Sequence, residues 1–388
     1  MSKLPEDVII NILLRLPVKS ILRFRCVCKR WLKLFSDHTF IKLHFDIATE
    51  NENLRLMVSG ENMYSINFDS VFHKVVKIDY PFKSRNWGMS VVGSCNGLLC
   101  IANIAQTICI WNPSTKMHKE IPSLPTQFLP YYRDIRGIKL GFGYDSHDEE
   151  YKFVRILDIG VKGSIAEVYA EGSNTWKQDQ LIPYSFTYGN AFGVLMNETL
   201  HWIAYHCSGS ETRRLILSFS ISDESYGELP LPENVNDDLF RITVGALEAD
   251  LCIIDYCVCM LSVDVWVMKD YGVNGSWSKL HTIPLQAATP SMVGLKLLHS
   301  FNNGEILLKR DKNTLLLYHP QYNETKIVKI RGVPDGLYDI MTFVGSLFSV
   351  NSGNCLVQDR IEIVAAEPRK KPKNFIKGLM SIFKCFSG

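Results

Sequence analysis

"GSCNGLLCIANIAQTICIWNPSTKMHKEI", residues 93–121, is the stretch on which the fold turns. Near its start lies Asn96-Gly97, a pair that accepts the left-handed backbone of a two-residue hairpin. One strand leads into that turn and a second, "LLCIA", leaves it. After a longer link comes another hairpin, "ICIWNPSTKMHKEI". The same order then recurs. Tight polar turns are expected at Asp148-Glu149 before "YKFVRIL", Asn197-Glu198 before "TLHWIA", Ala249-Asp250 before "LCIID" and Asn303-Gly304 before "EILLK".

The later hairpins keep step in "AEVYAEGSNTWKQDQL", "LILSFSISDESYGEL", "VDVWVMKDYGVNGSWSKL" and "LLLYHPQYNETKIVKI". An aromatic stands near the end of each third strand: Trp111, Tyr169, Phe219, Trp266 and Tyr318. Four strands recurring about every 50 residues mark β-propeller blades, kelch-like in length. The paired glycines of a plain kelch array are missing. One blade is split. "LRLMVSG", "MYSINFDS" and "KVVKID" (54–79) give three strands with no inner strand ahead of them, and "IMTFVGSLFSV" (340–350) gives a strand with nothing after it. Joining the two closes a ring of six blades and leaves no exposed sheet edge. Two packed β-sandwiches use the strands but leave that complementary remainder unexplained. The expected fold is an all-β, kelch-like propeller over residues 50–350, closed by a C-terminal strand.

Residues 1–45 read differently. Pro5 is a favoured first helical residue, with Glu6 and Asp7 in the first turn. Val8, Ile9, Ile12, Leu13 and Leu16 form a broad apolar stripe, and Pro17 ends the helix. Ser20 is the expected cap of a second helix carrying Ile21, Leu22, Phe24 and Val27. A third apolar group follows at Trp31, Leu32, Leu34 and Phe35. Three short helices cannot bury all of this among themselves, and a surplus apolar face rimmed by charge marks a docking surface. Lys19, Arg23, Arg25, Lys29, Arg30 and Lys33 follow one another with no acidic residue between. That run invites a DNA-binding helix-turn-helix, but Leu22, Phe24, Val27 and Trp31 crowd the helix that would enter a groove.

The wording of this segment resembles an F-box as found in plant F-box proteins: Leu4-Pro5, Ile12-Leu13, Arg15-Leu16-Pro17-Val18-Lys19-Ser20, Leu22 to Lys29, and Trp31. The resemblance implies a small all-α F-box of three short helices that binds the Skp-type adaptor of a cullin-based (SCF) ubiquitin ligase. It further implies that Leu4, Pro5, Ile9, Ile12, Leu13, Leu16, Pro17, Leu22, Val27, Cys28 and Trp31 form or support that contact. "GSCNGLLCI…WNP", "GFGYDS…DEEYKFVRI" and "VWVMKDYGVNGSW" resemble the plant F-box-associated domain. Within that family the wording is nearest a subgroup that restrains immune signalling by directing immune receptors to degradation. The S-locus F-box proteins, which act on pollen-rejection ribonucleases, come next.

Composition fits this picture. The chain has 388 residues, 46% hydrophobic and 21% charged, with a formal net charge of +2, so no overall field points to nucleic acid. Lys3, Glu6, Asp7, Arg15 and Lys19 interrupt the first twenty residues, so no secretory leader is expected there. Eleven cysteines at irregular spacing read as reduced thiols of a cytoplasmic or nuclear protein. Cys26-Val-Cys28 and Cys257-Val-Cys259 lack zinc-ligand spacing. No metal or cofactor is expected. Gly141-Phe-Gly143 precedes no phosphate-binding helix, His201 reads as a core histidine, and Asp148, Glu149 and Glu150 read as a solvated turn. Neither a nucleophile elbow nor a zinc-protease helix occurs. A propeller glycosidase would need acids converging on the channel, and the inner strands offer few. The chain is expected to be a non-catalytic receptor subunit, with a protein target and no nucleic acid as partner.

Target contacts are expected in the long loops entering the inner strands, "SLPTQFLPYYRDIRGIKL", "IPYSFTYGN" and "PENVNDDLF". Tyr131, Tyr132, Arg133, Arg136, Phe186, Tyr188 and Phe240 are residue types that dominate binding hot spots. Residues 351–388 form an extension. Its end, "EPRKKPKNFIKGLMSIFKCFSG", sets Phe375, Ile376, Leu379, Met380, Ile382, Phe383 and Phe386 at helical spacing among six cations. It is a candidate for peripheral membrane contact, the alternatives being a helix packed on the propeller's own surface or a disordered tail. Cys385-Phe-Ser-Gly388 has the outline of a prenylation motif but a poor third position and an unusual final Gly, and reversible acylation of Cys385 fits no worse.

Overall fold

The computed structural model describes residues 5–67, 75–81, 89–103, 107–123, 135–177, 181–186, 191–208, 211–233, 235, 242–257, 261–285, 295–310, 314–330, 332–333 and 339–351. Four helices open it: α1 (Glu6–Leu14), α2 (Val18–Phe24), α3 (Lys29–Leu34) and α4 (His38–Glu50). Proline precedes two of them, and Pro17 rather than Ser20 stands at the start of α2. The fourth helix is one more than the sequence suggested. Asp37 caps it by accepting a hydrogen bond from the Phe40 amide at 3.1 Å. Phe40, Ile41, His44 and Ala48 are its buried face. His44 and Ala48 are weakly apolar, which leaves its stripe faint in the sequence.

The remaining elements build six sheets. β1 (Leu54–Ser59), β2 (Met63–Asn67) and β3 (Val75–Ile78) belong to blade 1. Blade 2 is β4 (Met89–Cys95), β5 (Leu98–Asn103), β6 (Ile108–Trp111) and β7 (His118–Ile121). Blade 3 is β8 (Gly137–Asp145), β9 (Glu150–Asp158), β10 (Ser164–Ala170) and β11 (Thr175–Lys177), with β12 (Leu181–Ile182) pairing β10. In blade 4, β13 (Tyr184–Phe186) and β14 (Val194–Met196) share the inner position beside β15 (Thr199–Ser208), followed by β16 (Glu211–Ser220) and β17 (Tyr226–Leu229). Blade 5 is β18 (Ile242–Leu247), β19 (Asp250–Cys257), β20 (Ser262–Met268) and β21 (Trp277–Pro284). Blade 6 is β22 (Lys296–Ser300), β23 (Ile306–Lys309), β24 (Thr314–His319) and β25 (Glu324–Lys329).

The last strand, β26 (Asp339–Val344), pairs antiparallel with β1 from Leu54↔Val344 to Ser59↔Asp339. It is therefore the missing inner strand of blade 1. It is shorter than the 340–350 run, because residues 345–350 leave the sheet. The inner strands touch in sequence, β26 to β4, β8, β14, β18, β22 and back to β26, so the ring is closed.

Each pair of neighbouring blades shares an apolar core. Blades 5 and 6 share one built around Val265, Leu297 and Leu308, and blade 6 meets blade 1 through Leu307, Leu56 and Ile340. The third-strand aromatics Trp111, Tyr169, Phe219 and Tyr318 are buried in such cores, while Trp266 is half-buried. Turn positions agree with the sequence at Asn96-Gly97 and Asn197-Glu198. In blade 5 the turn lies one residue earlier than expected, at Glu248-Ala249, since Leu247 pairs Asp250. His201 is a satisfied core histidine: its ring contacts the Val194 carbonyl at 3.2 Å and the Tyr271 hydroxyl at 2.8 Å. The acidic turn is structural too. Asp145 accepts from the buried Lys152 ammonium at 2.8 Å, and Glu150 accepts from the Gly172 amide at 2.7 Å.

Candidate adaptor and target surfaces

The helical head has its own core of Leu13, Leu14, Ile21, Phe35, Phe40 and Ile41, to which Leu347 of the C-terminal segment is added. His44 pins it, its Nε2 lying 2.8 Å from the Leu16 carbonyl. Because that carbonyl only accepts, Nε2 carries the proton. Burial holds the imidazole below its ordinary pKa and so keeps it neutral.

Around this core the sequence-predicted adaptor residues divide into two groups. Leu13 is interior, and Ile9, Leu16, Leu22 and Trp31 are half-buried against the core. Pro5, Ile12, Pro17, Val27 and Cys28 face solvent, with Ile12 51% and Val27 63% exposed. Leu4 lies outside the described residues. The apolar stripe of α1 thus has an inward half and an outward half. Two exposed apolar residues were not among the expected contacts: Val8 on α1 and Leu43 on α4. Val8 sits in the stripe already noted, four residues before Ile12. Leu43 had no signal, since its helix was not recognised. Val8 and Ile12 stand one turn apart on α1, so the helix carries exposed aliphatics on one face.

The head stands on one end of the ring. The amide of Asn302, in the β22–β23 link, donates to Glu52 just after α4 at 2.5 Å. A Cβ on Gly345 would lie 3.0 Å from Ser114 in the β6–β7 turn and 3.8 Å from Val18 of α2. Links from first to second and from third to fourth strands therefore form the head's end. Antiparallel pairing sends the second-to-third links and the blade-to-blade links to the opposite end. The expected target loops are at that far end.

Of the expected target residues, Tyr131, Tyr132, Arg133, Tyr188 and Phe240 lie outside the described residues. Arg136 is exposed, and its backbone amide donates to the Asp158 carbonyl at 2.8 Å. Its guanidinium packs over Gly160, where a Cβ would come within 2.5 Å of the Arg136 Cζ; with φ at +73° the position requires glycine. Phe186 is a correction. It is buried between blades 3 and 4, with the Lys139 ammonium 5.7 Å from its ring centroid, and so supports the surface from beneath. Burial pulls Lys139 down to about 8, against the opposing charge of Asp158. Asp158 itself fixes the β9–β10 link, accepting from the Gly160 amide at 2.8 Å and the Phe186 amide at 3.2 Å. That link holds Val161 out into solvent, 79% exposed, and Leu181 on β12 is 62% exposed. Sequence reading passed over both, because neither aliphatic stands out from a strand pattern. Among the described residues no group of three or more His, Cys, Asp or Glu is placed to hold a metal.

A helical head with outward-facing apolar side chains stands on one end of a six-bladed ring. Comparison with known families places it further. Residues 1–43 match the F-box domain and residues 54–348 match the F-box associated beta propeller domain. The chain belongs to the F-box proteins with an F-box-associated propeller. Its relatives in Arabidopsis thaliana include F-box protein CPR1, 27% identical over 89% of each chain. F-box/kelch-repeat protein At3g23880 is 31% identical over 72% of this chain and 79% of its own length. Putative F-box protein At3g16210 is 32% identical over 74% and 76%.

Proposed function

We propose that the chain is the target-recruiting subunit of a Skp–cullin–F-box ubiquitin ligase. The observation that carries this reading is the exposed apolar row Pro5, Val8, Ile12 and Val27 on a head that already has a complete core. The head holds the adaptor and, through it, the cullin; the far end of the ring holds a protein target. Ubiquitin is transferred by other subunits, and the receptor acts by raising the target's effective concentration near them.

The test is reciprocal. Ile12→Glu with Val27→Glu should lose co-purified adaptor by at least tenfold while the ring's melting temperature stays unchanged, because a charge in an apolar contact costs several kcal/mol. Arg136→Glu with Val161→Asp should keep the adaptor and lose proteins captured when degradation is blocked. Adaptor recovered at wild-type yield with the first pair overturns the reading.

For the target class, the resemblance to the immune-restraining subgroup favours immune receptors, acted on in the cytoplasm or nucleus or at a membrane surface. The basic, apolar tail supports the last location: near an anionic leaflet each cation contributes on the order of 1 kcal/mol. Residues 367–388 fused to a fluorescent reporter should sediment with membranes. A wholly soluble reporter, with or without Cys385, removes the membrane part of the proposal.

A further inference from the structure

Beyond β26 the chain does not simply leave the ring. Residues 345–350 run between the ring and the head and enter the packing of both. Ser346 and Leu347 are fully buried. Leu347 completes the head core beside Leu13, Ile21 and Phe40, while Val350 lies in the core between blades 2 and 3. Phe348 touches both cores. Its ring meets Phe45 of α4 edge-on at 5.7 Å and His38 at 6.1 Å.

Blade 2 grips the same segment. The buried Asn112 side chain donates to the Ser346 carbonyl at 3.2 Å and the Phe348 carbonyl at 2.8 Å. Its Oδ1 accepts from the Ser114 amide at 2.8 Å and the Thr115 amide at 3.1 Å, so the amide group is satisfied on both sides. Gly97 makes room from below: at φ +73°, any Cβ there would lie 2.4 Å from the Val344 carbonyl. The side chains of Leu347 and Phe348 are aimed at the head, while Val350 packs against blade 2 and the Ser346 and Phe348 carbonyls are held by it. A peptide that merely trailed away would need none of this.

We propose that residues 345–350 are a strap that locks the head onto the ring in one orientation, and that Asn112, Leu347 and Phe348 are positioning residues for ubiquitin transfer. The proposal rests on the receptor reading for its consequence, but not for its geometry. A strap shared by two cores makes the head a continuation of the ring instead of a tethered module. The adaptor row and the target end are then held at a fixed separation and angle. Lysines presented to the transferring enzyme become a restricted set.

Two measurements on the full chain separate the strap from the receptor reading. The first is amide hydrogen exchange without adaptor. Phe348→Ala should raise exchange in α1 and α4 at least tenfold, while β9 and β15 stay protected. Asn112→Ala should do the same more weakly, and Phe348→Tyr should restore protection. Unchanged exchange in the head overturns the strap, whether or not any adaptor binds. The second is reconstituted self-ubiquitination with adaptor and cullin, read as the set of modified lysines. Phe348→Ala should broaden that set with adaptor affinity changed less than about threefold, and Phe348→Tyr should return it to the wild-type pattern. An identical lysine set in Phe348→Ala overturns the positioning role. Should Leu347→Ser unfold the chain, the half-buried Phe348 and the polar Asn112 still read the coupling.

Discussion

His201 is fully buried at the turn-side end of β15, and its protonation state is set by what surrounds it. The Val194 carbonyl can only accept, so Nδ1 carries the proton and Nε2 accepts from the Tyr271 hydroxyl. Burial drives the imidazole from 6.5 down to about 4, with the Val194 carbonyl pulling the other way. In the unfolded chain the same group protonates near its ordinary value. Between those two pH values the unfolded state binds the extra proton, so stability falls as pH drops from about 6.5 to about 4. The full gap corresponds to at most about 3 kcal/mol. The urea midpoint should therefore decline over that window, and His201→Phe should flatten the decline; a slope unaltered by the substitution would assign it to other groups. The same scale shows how far sequence reaches. Periodicity marked Ile12 and Leu13 as members of one stripe. It could not say that Leu13 is covered by the head's own core and Ile12 is left exposed, because an apolar residue carries no label for what buries it.

At the scale of elements, strands with strong alternation and polar two-residue turns were legible, and so was the split blade. Weaker elements were not. α4 was hidden because a histidine and an alanine occupy its buried face. The inner strand of blade 4 is broken into β13 and β14, between which the amide of Leu140 donates to the Ala191 carbonyl at 2.7 Å and that of Gly193 to the Leu140 carbonyl at 2.7 Å, tying blade 4 to blade 3. Such a detour depends on a neighbouring blade and has no local signature. The closing strand gives the sharpest test at this level. A chain ended at Leu337 lacks β26, which leaves the inner edge of β1 open from Leu54 to Ser59, its other edge still paired with β2, and removes Ile340 and Phe343 from two inter-blade cores. It should aggregate, or melt at least 10 °C lower, in size-exclusion and thermal scans. A monodisperse product with an unchanged melting curve would mean that the ring does not need this strand.

For the whole molecule, antiparallel topology was enough to sort the connections into two ends. Which end receives the head was not legible. The answer lies in contacts such as that of Asn112 with Phe348, 236 positions apart, and no window along the chain spans such a distance. That same closure has a bearing on how the protein is made. β1 to β3 emerge early, yet the strand that seals them follows roughly 260 residues after Ile78. At about 5–20 residues per second the ribosome takes some ~13–50 s to deliver it. Throughout that interval the nascent chain carries an open sheet edge, and its helical head lacks Leu347. Translation that stops early yields a polypeptide with neither a sealed ring nor a finished head. Completeness of synthesis is checked by the fold itself.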